Sequence, residues 1–197
     1  MNAAKPLHTP LDGPAPATTP VASAATVAAV PPTLEAFMAQ ALAMELEAVE
    51  RYTDFADAME THNNLEVGSM FRTMAGYESK HAQQIMHDMG WTQAPALPPG
   101  SHAWVGFDAP EAAPIDAVHY LMQPWHALQL ALAAERRAEA FFGALAAAAT
   151  TDAVRQAALQ LQAEEAEHVA LVQAWIGKVP QPDSDWAVDP DPPRYTE

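Results

Sequence analysis

Glu-x-x-His occurs twice in this chain, as Glu78–His81 and Glu165–His168. A lone Glu in an apolar stripe precedes each copy, Glu45 before the first and Glu135 before the second. An i, i+3 pair places both side chains on one helix face, a turn apart. Each pair can therefore grip one metal ion, while the lone Glu reaches in from a neighbouring helix. Four carboxylates and two imidazoles on four helices are the ligand inventory of a carboxylate-bridged two-metal site inside a four-helix bundle. One such pair in an Ala- and Glu-rich helix is weak evidence, because a solvated face reads the same way. Six such residues, each midway along an apolar stripe, are a different matter. Four carboxylates buried in one core without cations would be severely destabilising.

The rest of the chain agrees with helices. Half of it is hydrophobic, and Ala, the best helix former, is used heavily. Most of its 18 prolines cluster in residues 1–32, 95–114 and beyond 180, leaving long segments where a helix can run uninterrupted. The reading divides the chain into a Pro/Ala-rich disordered tail over 1–32, an all-α bundle over 33–181, and an acidic Pro-rich tail over 182–197.

Thr33 is a good N-cap for a first helix ending near Thr61. Met38, Leu42, Glu45, Val49, Tyr52, Ala56 and Met59 share its stripe. A turn at His62-Asn63-Asn64 leads to a second helix over about 65–88, ended by Gly90. A long connection over about 90–115 can cross the bundle. Asp116 is expected to cap a short helix reaching Leu121, before Pro124. A third helix is predicted over about 125–149 and a fourth over about 153–176. Ala41-Leu42-Ala43-Met44-Glu45 and Ala131-Leu132-Ala133-Ala134-Glu135 repeat each other, and an aromatic, Tyr52 or Phe142, follows seven residues after each Glu. The two hairpins thus read as related halves around a pseudo-two-fold site.

Composition excludes several alternatives. A formal net charge of −16 repels nucleic-acid phosphates. The absence of Cys excludes disulfides, thiolate catalysis and iron–sulfur centres. No apolar run approaches the ~20 residues that span a bilayer, and no secretory signal is legible. The expectation is a cytoplasmic protein with neither nucleic acid nor membrane as partner.

Other polar residues carry less. Tyr52 shares the face of Glu45 and is a candidate supporting residue at the metal site, with core packing as the plain alternative. Tyr77 reads as boundary packing. Glu139, one turn beyond Glu135, reads as an outward-facing acid with an extra ligand as the alternative; Glu164 and Glu167 read as outward-facing acids with a supporting role for His168 as the alternative. His87, His119 and His126 have no motif partner.

At these residues the chain resembles the ferritin-like superfamily, and most of all its rubrerythrin-like branch, over about 33–177. Glu45 with Tyr52, Glu78-x-x-His81, Ala131-Leu132-Ala133-Ala134-Glu135 with Phe142, and Ala163-Glu164-Glu165-Ala166-Glu167-His168-Val169 carry the resemblance. It implies a ferritin-like four-helix bundle with a long crossover between helices 2 and 3, a non-haem di-iron centre and, commonly, a homodimer. By position, Glu45, Glu78 and His81 match the ligands of the first half, and Glu135, Glu165 and His168 those of the second. Full-length rubrerythrins append a Cys₄ rubredoxin-like domain; with no Cys here, the electron donor is expected to be a separate molecule. Rubrerythrins also carry a further Glu three residues after the helix 3 ligand, where this chain has Ala138. That departure points to a plain six-ligand centre.

The leading functional expectation is a protein that binds two Fe(II) ions and reacts with O₂ or H₂O₂, as a ferroxidase or peroxide-reducing oxidoreductase. The alternatives are iron binding and storage, an oxygenase or hydroxylase acting on an organic substrate with a partner reductase, and a metal-free interaction module, which the buried acids argue against. Mn and Zn use the same ligands as Fe.

Overall fold

The computed structural model of the chain describes residues 27–189. Four helices account for most of them: α1 (Leu34–Thr61), α2 (Leu65–Asp88), α3 (Pro124–Ala148) and α4 (Asp152–Ile176). No strand occurs among the described residues, and a single isolated bridge pairs Val27 with Trp104. Among the described residues no helix is long and apolar enough to cross a membrane.

Local chemistry sets the helix ends. The Thr33 hydroxyl accepts a hydrogen bond from the Ala36 N–H at 3.1 Å. Asn64 and Thr151 cap α2 and α4 in the same way, from Val67 and Val154. Each supplies an acceptor to a helix N–H that has no intrahelical partner. Asn63 turns the chain between α1 and α2 with φ 59°, in the left-handed region that Asn tolerates. Pro124 occupies the first turn of α3, where its missing N–H costs nothing.

The helices form two tight hairpins, α1 with α2 and α3 with α4. The hairpins meet along wider seams, α2 against α3 and α1 against α4. Rings of α2 and α4 also meet between the hairpins, Tyr77 with Trp175 and His81 with His168. The core has two apolar layers. One contains Phe37, Leu42, Ile85, Phe141, Phe142, Leu145 and Val154; the other contains Tyr52, Phe55, Phe71, Met74, Leu128 and Val172. On every helix the candidate Glu falls between the two layers: Glu45 between Met44 and Ala48, Glu78 between Ala75 and Ala82, Glu135 between Leu132 and Ala138, and Glu165 between Leu161 and Val172. The polar level is thus sealed above and below by hydrophobic side chains. This is how the sequence keeps bulk water, and its high dielectric, away from the acids.

The crossover between α2 and α3 lies along the α1/α3 side of the bundle. Gln40 of α1 donates to the Ser101 carbonyl and accepts from the Ala103 N–H. Trp104 packs edge-on against Phe141 of α3, with ring centroids 6.2 Å apart. The short helix expected from Asp116 to Leu121 does not form. That stretch makes two separate turns, Ala117 N–H to Pro114 O and Met122 N–H to His119 O. At its end the Asn64 side chain donates to the Tyr120 and Met122 carbonyls, at 3.2 and 2.8 Å. These contacts hold the segment's end against the α1–α2 turn, a tertiary restraint that the local sequence does not encode.

The expected N-terminal tail lies outside the described residues except for 27–32. There Val27 and Val30 pack on the first core layer, and the Ala28 N–H donates to the Ala103 carbonyl at 2.7 Å. Of the expected C-terminal tail, 182–189 are described. Trp186 packs against the rings of His119 and His126, and the Tyr120 hydroxyl donates to Asp189 at 2.6 Å.

Candidate metal centre

The fold brings all six sequence-selected residues to one level. Glu45, Glu78 and His81 present ligand atoms within 4.8 Å of one another, and so do Glu135, Glu165 and His168. The four carboxylates are buried, each exposed by 4% or less. The imidazoles lie nearer solvent, with side-chain exposures of 31% for His81 and 23% for His168. Each hairpin therefore supplies one Glu-Glu-His triad, and the histidines mark the open side of the site.

Within the first triad, His81 Nδ1 lies 3.3 Å from Glu78 Oε2 and 3.7 Å from Glu45 Oε2. Within the second, His168 Nδ1 lies 3.3 Å from Glu165 and 3.5 Å from Glu135. Among these approaches the His168–Glu165 contact has hydrogen-bond geometry. Burial pushes the Glu45 carboxyl up to about 7, against the opposing pull of His81. Burial likewise pushes Glu165 up to about 8. The carboxylates of Glu45 and Glu78 raise His81 to about 10. For His168 burial is the largest single influence and acts downward, but Glu135 and Glu165 together carry it up to about 11. In the metal-free protein, protons thus neutralise part of the buried negative charge.

A seventh residue joins the six. Glu111, on the crossover, is 1% exposed, and neither of its carboxylate oxygens has a hydrogen-bond partner among the described residues. It presents a ligand atom within 4.8 Å of those of Glu45 and Glu165, and likewise with Glu78 and Glu135. Burial, and then the four surrounding carboxylates, push its pKa well up. Stripe analysis passed over Glu111 because a loop has no period from which an inward face can be read. The sequence signal available was the setting: one Glu enclosed by Ala109, Pro110, Ala112 and Ala113.

The remaining candidates fall away from the ligand set. Tyr52 is 1% exposed and stacks on Phe71 at 6.1 Å. Its hydroxyl has no hydrogen-bond partner among the described residues. Burial and then Glu135, Glu78 and Glu111 drive the pKa of that hydroxyl well up, which places it near the acids without a bond to any. Tyr77 is at the surface against Trp175. Glu164, Glu167 and His87 are exposed, while Glu139, His119 and His126 are half-buried outside the acid cluster.

The donor set fits a pair of divalent cations. Oε2 of Glu45, Glu78 and Glu135 and both oxygens of Glu111 are buried without hydrogen-bond partners among the described residues. Buried polar atoms are normally satisfied, and cations at this level would satisfy these. Carboxylate oxygen with imidazole nitrogen suits Fe(II), Mn(II) or Zn(II). The acids of one triad lie across the seam from those of the other, as bridging carboxylates require.

Two comparisons accord with this arrangement. The sequence profile of the Rubrerythrin family matches residues 36–96, which contain Glu45, Glu78 and His81. The structure is similar to that of an uncharacterized conserved protein from Magnetospirillum magnetotacticum MS-1, determined at 2.00 Å resolution. The two share 36% sequence identity with a TM-score of 0.55, over 75% of this chain and 95% of the other. No curated protein matches the chain. With its four-helix bundle and paired Glu-Glu-His triads, the chain belongs to the rubrerythrin family of ferritin-like proteins.

Proposed function

We propose that the protein holds two iron ions, one per Glu-Glu-His triad, and uses them to reduce O₂ or H₂O₂ as a ferroxidase or peroxide-reducing oxidoreductase. Glu45, Glu78 and His81 would hold one ion, and Glu135, Glu165 and His168 the other. A bound iron pair supplies the electrons, one from each ion, that a two-electron oxidant takes up. The protein's own contribution is geometric and electrostatic. Two apolar layers keep the acids out of bulk water, and the half-exposed histidines leave one side open.

The size of that opening carries the choice of oxidant. Two cavities reach the site, one of about 30 Å³ against Glu78, His81, Glu135 and His168 and one of about 100 Å³ against Glu45 and His81. A site needs roughly 10–15 Å³ to admit a water molecule, so O₂ or H₂O₂ fits. Drug-sized organic molecules occupy cavities of about 300–1,000 Å³, which disfavours the hydroxylase alternative. With no Cys in the chain, we assign electron delivery to a separate donor, and we retain the homodimer.

Consumption of O₂ and H₂O₂ by anaerobically Fe(II)-loaded protein, with a small reductant present, tests this reading. Turnover of either oxidant faster than with the same free Fe(II) is expected. Consumption no faster than free iron, with many ions retained per chain in a high-mass assembly, would replace it with iron storage.

A further inference from the structure

We infer that Glu111 is a seventh ligand of the metal pair, delivered by the crossover and shared between the two triads. This rests on the two-metal reading above and adds a residue that the helical ligand pattern does not contain.

The first ground is position. Glu111 groups with Glu45 of α1 and Glu165 of α4, and also with Glu78 of α2 and Glu135 of α3. Each of these pairs takes one acid from each hairpin. A carboxylate there faces both metal positions, and its two oxygens allow it to bind both. It enters from the α1/α3 side, opposite the histidines, which sit on α2 and α4.

The second ground is that the protein has built a mount for it. Arg137 of α3 donates to the carbonyls on either side of Glu111, Pro110 at 2.8 Å and Ala112 at 3.1 Å. Arg51 of α1 donates to the Ala113 carbonyl and, at 2.8 Å, to Asp108. Glu47 of α1 accepts from the Ala109 N–H at 2.9 Å. Three side chains from α1 and α3 thus fix residues 108–113, while both oxygens of Glu111 itself are buried without a hydrogen-bond partner among the described residues. Buried polar atoms are normally hydrogen-bonded, and these two are not. A cation at the site supplies the missing partner.

The third ground is charge. Four carboxylates balance two divalent ions, and a fifth brings the site one charge closer to balancing a trivalent pair.

The test is an anaerobic Fe(II) titration of the metal-free full chain beside E111Q, with far-ultraviolet circular dichroism and Tm as the fold control. E111Q should keep the fold and bind at least one of its two ions tenfold or more weakly. A crystal structure of the wild-type chain loaded with Fe(II) gives an answer independent of the variant's folding. It should place a Glu111 oxygen about 2.0–2.3 Å from an ion, the bonding range of divalent cations. Wild-type and E111Q proteins that bind two ions equally tightly, or Glu111 oxygens out of bonding range in the loaded crystal, would overturn the assignment and leave the two-metal reading intact. A wild-type chain that binds no Fe(II) would overturn both.

Discussion

The imidazole rings of His81 and His168 lie parallel, 5° apart in plane, with centroids separated by 4.4 Å. They come from α2 and α4, one from each hairpin, so their stacking registers the two hairpins against each other at the level of the acids. Two imidazoles that carry protons in the metal-free protein would repel at this distance. They remain there because each faces two carboxylates of its own triad. Metal binding requires that these protons leave, because a ligating imidazole is neutral.

The pH dependence of the metal-free protein follows in sign. Glu45 and Glu165 are raised from 4.5 to about 7 and 8, and His81 and His168 from 6.5 to about 10 and 11. All four bind protons more tightly folded than unfolded, so stability falls as pH rises wherever they titrate. For the histidines, the gain is complete below about 6.5 and is lost by about 10–11. For the carboxyls, the loss falls between about 4.5 and 8. Tm of metal-free protein should therefore decrease steadily from pH 5.5 to 9, and the slope should flatten once metal is bound. A metal-free Tm that rises over this range would contradict the proton assignment.

Glu135→Ala should reduce iron binding from two ions per chain to one or none, since Glu135 anchors the second triad. Two tightly retained ions, counted by metal analysis after gel filtration, would remove Glu135 from the site.

Six of the seven acids and imidazoles at the centre were legible because helical period fixes which residues share a face. Glu45 and Glu135 stand out as polar interruptions of apolar stripes, and Glu78–His81 and Glu165–His168 as pairs one turn apart. Thr33, Asn64 and Thr151 marked helix starts through their capping chemistry. The crossover was not legible in this way. The loop around Glu111 is held by Arg51, Glu47 and Arg137, side chains of α1 and α3, and the segment after Asp116 is held at its end by Asn64. Both outcomes depend on contacts between residues far apart in sequence.

Arg137→Ala should cost stability, because it strips donors from two carbonyls of the crossover at once. At about 1–3 kcal/mol for buried groups left unpaired, and about 2–4 °C of Tm per kcal/mol in a chain of this size, a fall of several degrees is expected. Arg136→Ala, one residue earlier at an exposed position, should leave Tm nearly unchanged. Equal effects of the two variants would argue against the clamp.

Tyr52→Phe removes a buried hydroxyl that has no partner among the described residues. Metal-free Tm should hold or rise by a few degrees, and the iron count should stay at two. A clear drop in Tm would show that the hydroxyl is bonded after all.

Removing residues 1–26 should leave iron binding and Tm unchanged, because no candidate ligand lies there. Extending the deletion through residue 32 removes Val27 and Val30 from the first core layer and should lower Tm without changing the iron count. An iron count that falls with either deletion would place a ligand in the segment.

Stoichiometry tests the two-metal centre most directly. Metal-free protein titrated anaerobically with Fe(II), with bound ions counted per chain, should saturate at two. A subsequent pulse of H₂O₂ or O₂ should produce a near-ultraviolet absorption absent from free iron under the same conditions. No stoichiometric binding would contradict the account, and the two Glu-x-x-His pairs would then be polar features of an acidic helical bundle with no metal to hold.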